Sequence, residues 1–105
     1  MATIKVKDWE LNVKVKAEFV RHWVDVQRLN ISATRGTVYV RGKLAFKGGK
    51  VDTTSELAIS KQLKAVERAI RSVPGVADIK FEFEEWEKVG GMWSPRRGQQ
   101  IQENK

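Results

Sequence analysis

Leu29-Asn30-Ile31-Ser32-Ala33-Thr34-Arg35-Gly36-Thr37-Val38-Tyr39-Val40-Arg41-Gly42 is the stretch on which the fold turns. Apolar and polar residues alternate on both sides of Arg35-Gly36, as they do in half-buried strands. A glycine at the second turn position supplies positive φ without a Cβ clash, so the stretch reads as a β-hairpin. Leu29, Ile31, Val38 and Val40 then face the core, followed by Leu44 and Phe46, and Gly48-Gly49-Lys50 closes the second strand.

Upstream, residues 8 to 23 carry two periods. Leu11, Val13, Val15, Ala17 and Phe19 alternate like a strand, whereas Leu11, Val15, Phe19 and Trp23 recur every fourth residue like a helix. The length of the run favours a helix, with Asp8 as its N-cap, Glu10 in its first turn, and Val13 and Val20 widening or flanking the buried stripe.

Downstream, Thr53-Thr54-Ser55-Glu56 matches a capping box in which the Thr53 hydroxyl and the Glu56 carboxylate satisfy reciprocal backbone donors. Ile59, Leu63, Val66, Ile70 and Val73 step by four and three along one helical stripe, and Pro74-Gly75 ends it. Alternation returns from Val76 to Trp86, with Ile79, Phe81 and Phe83 on one side and Lys80, Glu82 and Glu84 on the other.

The expected fold is α+β in the order α-β-β-α-β, a three-stranded mixed sheet with two helices packed on one face. The expected organisation is one domain over residues 8–88 and a C-terminal extension over residues 89–105, disordered from about residue 96.

The segments Gly36-Thr37-Val38-Tyr39-Val40-Arg41-Gly42 and Val73-Pro74-Gly75-Val76-Ala77-Asp78-Ile79, with the amphipathic helix between them, resemble the signature of BON domains. That family's pattern is a G-x-V-x-L-x-G strand, a helix, and a P-G-V turn into the last strand. The resemblance spans about residues 8 to 83 and implies the α-β-β-α-β order. It also implies attachment to phospholipid surfaces or to other proteins of the bacterial envelope, where the best-known members are periplasmic stress proteins. Gly36, Gly42, Pro74 and Gly75 are the matched structural positions. The chain departs from the family in having one copy, no signal peptide, no LysM segment, and a longer and more basic stretch over residues 43–54.

Composition narrows the chemistry. The chain has no cysteine, a single histidine at 22, and no serine in a nucleophile elbow, so neither a thiolate nor a catalytic triad is available and the expectation is a non-enzyme. The glycine pairs lack phosphate-loop spacing, and Glu82, Glu84, Glu85 and Glu87 read as a solvated face, so neither cofactor nor metal is expected. The net charge of +7 comes wholly from residues 1–50, which hold eleven Lys or Arg against four Asp or Glu.

Such an imbalance attracts polyanions before specific contact forms. Arg28, Tyr39, Arg41 and Lys43 should project from one face of the hairpin, with Lys47 and Lys50 extending the set through the loop. This set is the candidate site for an anionic phospholipid surface; the competing reading is a solvated strand face. Another protein, or a second copy of the chain, is the alternative partner, reached through the open sheet face or through Trp86 and Trp93. Trp93 could instead fold back over the open sheet face. Nucleic acid is the least favoured partner, since no RNA-binding motif is present. With no apolar leader and no apolar run long enough to span a bilayer, the chain as written is expected in the cytoplasm, or in the periplasm if a leader has been removed.

Overall fold

The computed structural model describes residues 8–96. Helix α1 (Asp8–Arg21) leads through a short 3₁₀ turn to strands β1 (Leu29–Thr34) and β2 (Thr37–Gly42). Helix α2 (Glu56–Arg71) crosses over to β3 (Asp78–Phe83), and a hairpin of β4 (Trp86–Val89) and β5 (Met92–Pro95) follows. The sheet order is β1-β2-β3, antiparallel and then parallel. A parallel neighbour needs a long crossover, and α2 supplies it. The expected architecture is therefore present, with one more hairpin.

The stripe of α1 is shorter than its sequence period suggests. Leu11, Val15 and Phe19 are buried, but Trp9, Val13 and Val20 are exposed. Trp23 leaves the stripe as well: the chain turns left-handed there (φ 68°), which releases the indole to the surface while Val24 takes the core position. Asp8 is the first helical residue described, and its Oδ1 accepts a hydrogen bond from the Arg35 amide (3.2 Å), fastening the start of α1 to the hairpin tip.

In α2 the stripe is as expected, with Ile59, Leu63, Val66 and Ile70 buried and Val73 just beyond the helix. The cap is two residues later than the motif suggested. Ser55 Oγ accepts from the Ala58 amide (3.1 Å), while Asp52 takes the Thr54 amide and hydroxyl in a preceding turn. Glu56 therefore sits in the first turn rather than closing a box with Thr53.

Ile31, Val38, Val40, Ile79 and Phe83 bury one face of the sheet, with Leu29 and Phe81 half-buried beside them. The second strand ends at Gly42 instead of running to Gly48. Its φ of 127° excludes other residues, and a Cβ there would lie 2.6 Å from the Arg28 carbonyl oxygen. The chain bends at this point, so Leu44 is buried and Phe46 packs on the core from outside the sheet, bridging to Val24. At the opposite end, Arg35 (φ 53°) and Gly36 (φ 86°) form the expected left-handed turn.

The β4–β5 hairpin was not anticipated. Its turn is Gly90-Gly91, both at positive φ, and it packs on α2. Trp93 meets Phe81 edge-on (centroids 5.1 Å, planes 85° apart) and lies 5.6 Å from Phe83. The indole thus covers the helix-side face of the sheet and not the open one. Trp86 and Trp93 are both core residues, which removes them as an exposed partner interface. Arg96 is held as well, with its amide on Glu85 O (2.9 Å) and its Nε on Phe83 O (3.1 Å); the remainder of the segment expected to be disordered lies outside the described residues. Among the described residues no helix is long and apolar enough to cross a membrane.

Candidate functional site

With the β4–β5 hairpin on the helix side, the other face of the three-stranded sheet is left uncovered by the described residues. It carries Asn30 and Ser32 from β1, Tyr39 and Arg41 from β2, and Lys80 and Glu82 from β3, all exposed. Tyr39 lies opposite Ser32 and beside Lys80, in the centre of this surface.

The face is not uniformly basic. Arg41 reaches across the parallel pair to Glu82, with Nη2 and Nε 2.9 and 3.0 Å from the same carboxylate oxygen. Lys80 lies 3.6 Å from Asp78, whose carboxyl is held below its usual value chiefly by the Ile79 amide, with help from Lys80. Arg28, opposite Lys43 at the end of the ladder, is within 3.7 Å of Asp25. Such exposed pairs are weak, about 0–1 kcal/mol, but each lowers the net field of its surface.

Lys43, Lys47 and Lys50 differ. None is ion-paired with a described residue. The bend at Gly42 carries them off the sheet plane, so Lys47 and Lys50 do not extend the Tyr39 face. They gather instead where α1 ends: the Lys47 amide donates to Trp23 O (2.7 Å), and Lys50 Nζ stands 5.7 Å from the Trp23 ring centroid. Trp23 is 42% exposed and lines a small cleft with Val20, Val26 and Lys47. Because β1 begins and β2 ends here, Arg28 and Lys43 belong to the same end of the sheet.

The six residues singled out from sequence thus fall into two groups. Tyr39 and Arg41 lie on the open face. Lys47 and Lys50 lie around Trp23, with Arg28 and Lys43 at the junction. Trp23 itself was missed, since its four-residue spacing from Phe19 assigned it to the core. The following Asp25, which caps the 3₁₀ turn by accepting from the Gln27 amide (3.1 Å), was the available sign that the helix had already ended.

The acidic residues near the third strand are dispersed: Glu82 pairs with Arg41 and Glu87 with Arg96, and among the described residues no three potential metal ligands converge. His22 stacks no chemistry around itself; its Nδ1 lies 2.7 Å from the Glu18 carbonyl oxygen and its own carbonyl accepts from Gln62 Nε2 (2.9 Å). No family model matches the chain, and no curated protein and no solved structure matches it.

Proposed function

We propose that the chain is a non-catalytic binding module that attaches to anionic phospholipid surfaces by the end of the sheet where Trp23, Lys43, Lys47 and Lys50 gather. The observation that carries this reading is the company Trp23 keeps: a half-exposed indole beside lysines that no described carboxylate neutralises. An indole is at home at the headgroup layer, and lysines on flexible stems reach phosphates while their methylenes stay with the apolar layer. The open sheet face, with Tyr39 between paired charges, is an auxiliary surface in this proposal. The resemblance to BON domains points the same way, and membership of that family is part of the proposal.

Each lysine close to an anionic surface contributes about 1 kcal/mol, so replacing Lys43, Lys47 and Lys50 by glutamine should weaken binding about a hundredfold. Removing both members of each ion pair, Arg28→Gln with Asp25→Asn and Arg41→Gln with Glu82→Gln, leaves the net charge unchanged and should cost much less. The test is co-sedimentation with vesicles of neutral and of anionic lipid at low and high salt. Binding to anionic vesicles that falls with salt, and that the triple variant loses while the variant lacking both ion pairs keeps most of it, supports the proposal. No binding to anionic vesicles even at low salt sinks it.

A further inference from the structure

The sheet has two outer edges, and they are not alike. Beyond β3, Lys80 and Glu82 place charges along the strand, the Arg96 guanidinium occupies the Phe83 carbonyl, and the β4–β5 hairpin stands alongside. Natural edges are guarded by such devices. Among the described residues the edge of β1 has none of them. Leu29-Asn30-Ile31-Ser32-Ala33-Thr34 contains no charged residue and no proline, and it pairs with β2 without a bulge over its whole length.

The ladder fixes which groups that edge presents. Thr34 and Thr37 flank the two-residue turn, and at the other end Arg28 O accepts from Lys43 N (3.2 Å), so the even-numbered residues of β1 bond to β2. The amides and carbonyls of Ile31 and Ala33 and the carbonyl of Leu29 therefore point outward; the Leu29 amide is already used by Val26 O.

The helix beside that edge is also incomplete on the same side. α1 packs over β1, and its seam with α2 is formed by Lys14, Glu18 and Arg21 facing Ala69 and Ser72. At 100° per residue Trp9, Val13 and Val20 lie on the flank away from that seam, toward the β1 edge, and the exposed Lys16 falls on the same flank between Asn12 and Trp9. They are 65%, 59% and 56% exposed and form one stripe. Between the stripe and the core sits Asn12, whose Oδ1 is buried with no hydrogen-bond partner among the described residues.

We infer that this edge and stripe form the contact between two copies of the chain, with β1 pairing antiparallel to the partner's β1 about a two-fold axis at Ile31. That register is self-complementary. Ile31 exchanges both of its bonds with the partner's Ile31, and each Ala33 amide meets the partner's Leu29 carbonyl, so four bonds form and the occupied Leu29 amide is not required. Asn30 faces the partner's Ser32, so along the strands no like charges oppose each other although each copy carries a net +7. The same axis sets the two α1 helices side by side and antiparallel, joining their apolar stripes. A six-residue strand is only about 20 Å long, so the helix stripe is what brings the area toward the roughly 800 Å² per partner of a stable contact. A second copy is the occupant that matches both elements at once.

This inference is independent of the lipid-binding proposal and is tested without lipid. Sedimentation equilibrium of the full chain over a dilution series reaching about 100 µM should give a dimer that dissociates on dilution. Added salt should tighten the dimer, because it screens the repulsion between two basic copies whose paired strands carry no charge, whereas it weakens vesicle binding. Asn30→Glu with Ser32→Glu sets carboxylates opposite each other in the partner register and should raise the dissociation constant about tenfold or more. Asn30→Glu with Ser32→Lys keeps opposite charges facing and should retain the dimer. Both positions are exposed, and Asn30 neighbours Arg41, so the monomer fold tolerates these changes, which circular dichroism checks. Trp9→Ala with Val13→Ser should weaken the dimer through the helix stripe. A chain that is monomeric throughout overturns the inference, as does a dimer indifferent to the double-glutamate change. A monomer whose vesicle binding is abolished by Trp9→Ala with Val13→Ser also overturns it and assigns the stripe to the membrane.

Discussion

Replacing Glu67 by glutamine should loosen the β4–β5 hairpin from α2 and remove part of the acid sensitivity of the fold. The Glu67 side chain is only 9% exposed, and its Oε2 accepts from Lys88 Nζ (2.6 Å) and from Arg71 Nη2 and Nε (3.0 and 3.2 Å). A charge-assisted hydrogen bond contributes about 1.5–3 kcal/mol when well protected. Lys88 and Arg71 are 37% and 50% exposed and can turn to water, so most of that is discounted. A net loss of about 1–2 kcal/mol remains, which for a domain of this size is a fall in Tm of about 5–10 °C. Burial by itself would raise this carboxyl, but the bonds from Lys88 and Arg71 prevail and hold it below the ordinary value of 4.5. A carboxyl depressed in the folded state contributes stability that is complete above its unfolded value and is lost as pH falls through the folded one. The stability difference between wild type and Glu67→Gln should therefore be constant above about pH 6 and shrink steadily toward about pH 3. Urea denaturation across that range measures it, and a Lys88→Met double-mutant cycle isolates the helix-to-hairpin pair. A difference below about 0.5 kcal/mol at neutral pH, or one that does not narrow in acid, refutes the reasoning.

Trp93→Ala should destabilise the fold by about 3–5 kcal/mol, measured by denaturant unfolding, because it empties the space against Phe81 and Phe83. Trp93→Phe should cost far less than Trp93→Ala in the same assay, since the indole Nε1 it removes is buried without a partner among the described residues. Gly42→Ala should lower stability by at least about 1–3 kcal/mol and cause chemical-shift changes centred on Arg28 and Lys43, where the new methyl meets the Arg28 carbonyl.

The parts of the fold legible in sequence are those in which one element's own pattern decides its burial. The α2 stripe from Ile59 to Val73 and the alternation around Arg35-Gly36 needed no knowledge of distant residues. The β4–β5 hairpin did carry a signal, Val89-Gly90-Gly91-Met92 between two tryptophans, but strands of four residues give too little alternation to set against a tail that reads as polar. The candidate site was half legible. Its residue types could be chosen from charge and aromatic content, yet whether Arg41 meets Glu82 depends on a parallel register created by α2. Where Lys47 and Lys50 go depends on the bend at Gly42, and the exposure of Trp23 depends on a single left-handed residue.

The Gly36 carbonyl accepts from both the Ala77 amide (2.7 Å) and the Asp78 amide (3.3 Å), so the hairpin turn is also the docking point for the start of β3. This makes the order of assembly asymmetric. The β1–β2 ribbon closes over neighbouring residues and can form on the microsecond scale, whereas β3 must return across a crossover such as the separation of 41 positions from Arg41 to Glu82. Closing that long loop carries the larger entropic cost. The turn that shapes the ribbon thus also sets the register of β3, so an error at Arg35-Gly36 propagates to every parallel pair.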